Sequence, residues 1–255
     1  MSILTNIRKR VWTAAAGVAL AAGLSSAANA GILAVVADVN AGGTSATNAS
    51  FYEAVLGDSS TVVFSRSASQ QTGTLSLYNS LTGVTATESA AELTAASLSA
   101  IDLLVVTTGF NSAISYTAAE IAAVSGFLGG GGSVLMVTES SSSALLDGYN
   151  AFLAGIGSSI SYTGFRNSST SPTMTAESTT LGALDPFRVS AYNTLTGGTA
   201  VYNAPDGTAV AFEDFGDAGN GGGNGGGNGG TGVPAPATVL LLAIGLLAAS
   251  RRRAS

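Results

Sequence analysis

Four segments of this chain begin as almost unbroken apolar, β-branched runs and close on polar residues: ILAVVAD at 32–38, TVVFSRS at 61–67, DLLVVTTG at 102–109 and SVLMVTES at 133–140. A strand with one wet face alternates. A continuous apolar run instead predicts a strand covered on both faces, as in a parallel sheet flanked by helices. Between the third and fourth runs lies YTAAEIAAVSGFLGGGG, whose period is helical. Thr117 and Glu120 have the spacing of a capping box, Tyr116 and Ile121 that of a hydrophobic staple, and the glycines from Gly129 onward stop the helix. Ile121, Val124, Phe127 and Leu128 are expected to form its inner face. Weaker helical patterns run over 49–56, 90–98 and 144–154, the last with Leu145, Tyr149, Phe152 and Leu153 on one side.

Strands alternating with helices need crossover connections, which are right-handed. The order therefore predicts an α/β domain of the doubly wound kind, a flavodoxin-like three-layer sandwich on a mainly parallel sheet. After Ile160 the pieces shorten to ISYTGF, TAVYNA and TAVAF. The C-terminal part is expected to be β-rich, with Asp206-Gly207 as a hairpin turn. Residues 31–215 have the length of one domain.

The two ends break this pattern. Residues 1–30 carry a basic start (Arg8, Lys9, Arg10), an apolar stretch over about 11–24, and small residues Ala28 and Ala30 before Gly31. This is the layout of a secretory signal peptide cut before Gly31, so the mature protein is expected to be exported. A membrane-anchoring first helix is the other reading, which the short apolar run and its A-x-A ending disfavour. Residues 216–232, GDAGNGGGNGGGNGGTG, have almost no side chains to bury and read as a flexible linker. The apolar run at 237–249 spans about 20 Å as a helix, short of the ~30 Å hydrocarbon core. Arg251, Arg252 and Arg253 follow it and would hold its end on the cytoplasmic side.

A Pro-containing tetrapeptide (Val233, Pro234, Ala235, Pro236), a short apolar helix and a basic terminus, in that order, resemble the PEP-CTERM sorting signal of Gram-negative bacteria. The resemblance covers residues 233–255. It implies a short transmembrane helix, an exosortase-like processing enzyme as partner, a transient stay in the inner membrane, and delivery to the outer surface or an extracellular (biofilm) matrix. Ala235 stands where that family's name-giving Glu would sit, so the processing enzyme is left open. A rhomboid-cleaved GlyGly-type tail and a plain tail anchor are the alternatives.

The central region also resembles the class I glutamine amidotransferase-like fold, through residues 32–56, 98–110 and 116–140 and, more loosely, 187–212. In catalytic members of that superfamily a Cys nucleophile sits on the turn after the strand corresponding to 134–138, assisted by a His. Here that turn is Glu139-Ser140-Ser141, and the 255-residue chain has no Cys and no His. Their mechanism cannot run.

Composition narrows the chemistry further. Between the terminal basic clusters stand only Arg66, Arg166 and Arg188 against all fifteen acidic residues, with no Lys. Such a region repels phosphates, which excludes nucleic-acid binding. Disulfides and His or Cys metal sites are absent, and no cofactor is called for. Ser140 has no His or Lys to act as its base, so no catalytic residue is assigned. Asp38, Glu139 and Ser140 close strands at the carboxyl edge of the sheet, where open α/β sheets bind ligands, and are the candidate ligand-binding residues. Two carboxylates there could hold Ca²⁺ or sugar hydroxyls, or could simply cap loops. NAGGTSATN at 40–48 lacks both the G-x-G-x-x-G spacing and the P-loop Lys, and reads as a plain loop. The Ser/Thr-rich stretches ESSSSA and NSSTSPT are candidates for glycosylation after export. The expectation is a non-catalytic exported surface or matrix protein. The alternative is a polysaccharide hydrolase, which needs paired carboxylates in one cleft, or a carbohydrate-binding module.

Overall fold

The computed structural model describes residues 31–43, 47–168, 170–177 and 181–215. The chain divides into two compact units, Met1–Asn220 and Gly221–Ser255, and all the described residues belong to the first. Ala28, Ala30, Val233, Pro234, Ala235, Pro236, Arg251, Arg252 and Arg253 lie outside the described residues, as do the linker and the apolar tail. Among the described residues no helix is long and apolar enough to cross a membrane.

The four apolar runs form strands β1 (Ile32–Val36), β2 (Thr61–Ser65), β4 (Leu103–Thr107) and β5 (Ser133–Val137). Each is shorter than its run because the closing polar residues turn out of the ladder. A fifth parallel strand, β3 (Thr85–Ser89), was not signalled by pattern, since Ala86 is its one buried residue. The spatial order is β3-β2-β4-β5-β1, parallel throughout. An antiparallel set continues the same sheet beyond β1: β11 (Gly207–Asp214), β9 (Ala191–Thr196) and β6 (Ser161–Asn167), with β10 (Thr199–Ala204) paired to β11. Two short strands, β7 (Thr173–Met174) and β8 (Phe187–Arg188), pair separately. The fold is thus α/β on one large mixed sheet with a β-rich C-terminal part.

Side chains of successive strand residues point to opposite faces, and two cores follow from that. One takes Ala34, Val36, Val62, Phe64, Val105 and Val137 and packs against α1 (Ala49–Leu56) and α2 (Thr72–Ser80) through Phe51, Tyr52, Val55 and Tyr78. The other takes Leu33, Val35, Leu104, Val106, Val134 and Met136. It packs against α3 (Ala95–Leu98), α4 (Ala118–Gly129) and α5 (Ser143–Gly155). The antiparallel part joins the first core through aromatic contacts: the Phe187 and Tyr202 rings stack at 4.9 Å, and Phe51 meets Phe187 edge-on at 5.2 Å.

Several local expectations are refined. The Thr117–Glu120 capping box is present, but the inner face of α4 is Glu120, Val124 and Leu128, with Ile121 and Phe127 only half-buried. Glu120 can face inward because its carboxylate meets Arg66 at 2.5 Å and accepts from Leu93 N at 3.1 Å. Of the expected helix at 90–98 only Ala95–Leu98 is helical, entered through a Thr94–Ser97 capping box. The β10–β11 hairpin turns on Pro205-Asp206, because Gly207 already pairs with Ala204.

Candidate functional site at the carboxyl edge of the sheet

Because β1 and β5 are neighbours with Val36 opposite Val137, the residues two steps beyond each, Asp38 and Glu139, emerge side by side. Both are buried, at 1% and 0% exposure. Asp38 Oδ1 accepts from Asn40 N at 2.7 Å, and Oδ2 accepts from Ser190 N at 2.5 Å and Ser190 Oγ at 3.2 Å. Glu139 Oε2 accepts from Val39 N at 3.2 Å, while Oε1 has no donor among the described residues. The two carboxyls are near enough for each to act on the other's ionisation, and two ionised carboxylates, both pure acceptors, cannot bond each other. Burial, then the Asp38 charge, pushes the Glu139 carboxyl up to about 8. Burial also raises Asp38, against the opposing pull of the Ser190 and Asn40 amides.

Ser140 is buried in a different network. Its N–H donates to Asn193 Oδ1 at 2.9 Å, and Asn193 Nδ2 returns a bond to the Ser140 carbonyl at 2.8 Å and reaches Gly164 O at 2.9 Å. The Ser140 hydroxyl donates to Asn111 Oδ1 at 2.8 Å and accepts from Ser142 N at 2.9 Å. Asn111 sits after β4 in a left-handed conformation, φ 55°, which Asn tolerates better than most residues, and its N–H donates to Glu139 O at 3.2 Å. No family model, curated protein or solved structure matches this chain. The chemistry of the site therefore rests on its geometry alone.

That geometry brings Asp38, Glu139 and Ser140 to one edge but not into one open cleft. What faces solvent above them is uncharged: Asn40, Gln70, Phe110, Asn111 and Ser112. Gln70 accepts from Phe110 N at 2.7 Å and donates to Asn40 Oδ1 at 3.3 Å, so it ties together the loops after β1, β2 and β4. Phe110 is the one exposed large hydrophobic side chain among the described residues, at 42%, and its ring lies 6.0 Å from that of Phe165. This patch sits where the strand order reverses between β2 and β4, the switch point at which such sheets take ligands. Sequence reasoning missed Asn111, Ser190, Asn193, Gln70 and Phe110. Only "TTGFNS" at the end of an apolar run offered a signal for any of them.

The loop at 40–43 is fastened rather than open to phosphate. Gln71 Nε2 donates to Val39 O at 2.7 Å, Gly43 N donates to Thr74 Oγ1 at 3.0 Å, and the Tyr52 hydroxyl donates to Ala41 O. Among the described residues no three His, Cys, Asp or Glu side chains gather as a metal cage. A cavity of about 950 Å³ opens at the opposite, amino edge of the sheet, lined in part by Gly57, Asp58, Asp102, Phe127 and Gly131. Its Asp102 is committed to Ser60 N and Thr61 N, both at 2.9 Å, and these amides hold its carboxyl below the usual range. Asp58 and Asp214 also line the cavity, but none of Asp38, Glu139 and Ser140 does, so the carboxyl edge remains the candidate site.

Proposed function

We propose that this chain is a non-catalytic exported protein of the cell surface or extracellular matrix, sorted through its C-terminal segment by an exosortase-like enzyme. The observation that carries the non-catalytic part is the Ser140 hydroxyl. It is the one group in the position of a nucleophile, and it is spent on Asn111 Oδ1 at 2.8 Å in a chain without His. A nucleophile needs a base that takes its proton, and an amide oxygen is not one. The fold is read as flavodoxin-like with permuted connectivity. If β1 is counted as the fifth strand, the order β3-β2-β4-β5-β1 becomes 2-1-3-4-5. In keeping with the export reading, Gly31 O accepts from Phe215 N at 2.8 Å, so the residue after the expected signal cleavage and the residue before the linker meet at one edge of the domain. Mass spectrometry of the extracellular fraction tests the assignment. The expected species begins at Gly31 and ends near Pro234 or Pro236, without Arg251, Arg252 and Arg253. A membrane-bound product that keeps its arginines in cells with an exosortase makes the tail an anchor only.

One observation favours a second reading, carbohydrate binding at the same edge. With Asp38 and Glu139 buried, a sugar would meet the Phe110 ring and the amides of Asn40 and Gln70 instead of carboxylates. An apolar face stacked on an aromatic ring beside amide donors and acceptors suits a neutral sugar. Retardation in gels containing neutral polysaccharides, lost in Phe110→Ala, is the expected result. Equal mobility of both proteins in every gel rejects this reading.

A further inference from the structure

Among the described residues, Asp38 and Glu139 form a buried acidic pair with no cation to balance it. Three elements bring titratable groups against it. Tyr52 of α1 faces Asp38, and Tyr149 of α5 and Tyr162 of β6 face Glu139. All three are phenols whose ionisation burial pushes further up, so they stay neutral. Arg66 is engaged with Glu120 and Arg166 lies 3.9 Å from Asp206. Arg188 meets Asn48 through its backbone, with its N–H and C=O bridged by the Asn48 amide at 2.8 and 3.0 Å. None of the three arginines bonds either carboxyl. Each carboxyl meanwhile pins a different piece of chain. Asp38 holds Asn40 and Ser190, and Glu139 holds Val39 through its side chain and Asn111 through its carbonyl.

We propose that Asp38 and Glu139 work as a one-proton latch: a single proton held between their carboxyls fastens the mouth of the parallel sheet to the Ser190 segment of the antiparallel strands, and its loss in alkali unfastens them. Such a proton gives the fully buried Oε1 of Glu139, which has no partner among the described residues, a hydrogen bond to make. Without it, two negative charges face each other in a pocket of low dielectric, and admitting water is the available relief. Separation of the pair frees Val39, Asn40 and Ser190 together, because their amide donors end on these two side chains. The raised pKa of Glu139 sets the range in which this happens. At neutral pH the latch is closed.

The test uses the intact chain and two readouts. Infrared difference spectra should show a protonated carboxyl at about pH 7 that disappears as pH passes about 8, and Glu139→Gln should lack it. Hydrogen exchange, corrected for the intrinsic effect of pH, should show protection of the 38–43 and 187–193 peptides falling about tenfold between about pH 6 and pH 9, with β4 unchanged. Glu139→Gln should abolish that step, since an amide can donate to Asp38 and accept from Val39 at any pH. If Glu139→Gln does not fold, Asp38→Asn serves: with no charge opposing ionisation, the infrared transition should move to lower pH. No protonated carboxyl at neutral pH, an exchange step that persists in Glu139→Gln, or an unmoved transition in Asp38→Asn overturns the latch.

Discussion

The amide of Asn193 splints the turn after β5. It accepts the Ser140 N–H, donates back to the Ser140 carbonyl and adds a bond to Gly164, all in a fully buried position. Asn193→Ala takes the partner from the two buried backbone groups of Ser140 and one from the half-buried Gly164 carbonyl, so a loss of about 2 to 3 kcal/mol is expected, read as a lower denaturant midpoint at unchanged m-value. Asn193→Asp should do worse at neutral pH, since it replaces the two donated bonds with a carboxylate facing carbonyl oxygens. Asp38, Glu139 and Ser140 were legible in the sequence as polar residues closing apolar runs. Their relation to one another was not. It depends on β1 and β5 being neighbours although a hundred residues separate Val39 from Glu139, and on an asparagine 53 positions past Ser140. Local pattern carries no information about such pairings.

Among the elements, legibility follows how many apolar side chains each one buries. β1, β4 and β5 bury four or five consecutive residues and announce themselves. At the edge of the sheet β3, TATES, buries only Ala86 and has no such signature. α2 is similarly quiet, because its buried contacts are Thr74 and Tyr78 alone and its sequence, TGTLSLYNS, includes a Gly and several small polar residues. α4 was legible through chemistry rather than apolarity. Thr117 and Glu120 cap it as their spacing demands, but the same carboxylate also accepts from Leu93 and pairs with Arg66, which no local motif foretells. The turn from β9 to β10, which do not pair with each other, rests on Gly197 and Gly198 at φ 77° and 62°, a region glycine enters without steric cost.

Over the whole domain, the carboxyl groups whose ionisation the fold displaces fall into two sets with opposite effects on stability. Burial pushes Glu120 up, but the amides of Thr117 and Leu93, the Thr117 hydroxyl and Arg66 outweigh it and hold the carboxyl low. Asp102 is also held low, chiefly by the Ser60 and Thr61 amides. A lowered carboxyl adds stability that is present above its unfolded value and is lost as pH falls through the folded one, so these two weaken the fold in acid. Glu139 acts the other way. The folded state binds its proton more tightly than the unfolded state does, so stability falls as pH climbs from the ordinary value of 4.5 to about 8, then levels off. Thermal unfolding followed across pH should therefore peak at about pH 4 to 5, below the usual optimum of about 5 to 8. A Glu139→Gln profile should be flatter on the alkaline side, and matching profiles would contradict this assignment. The meeting of Gly31 and Phe215 has a mechanical side as well. Phe215 follows β11, which is paired with β1 over five residues, Ile32 opposite Asp214 through Val36 opposite Val210. If the domain is held at the Phe110 edge and pulled through residue 216, the tension runs along these strands and across hydrogen bonds that lie perpendicular to them. The rungs are then strained together instead of being unzipped one at a time, so the strand nearest the tether is the one best placed to resist a pull.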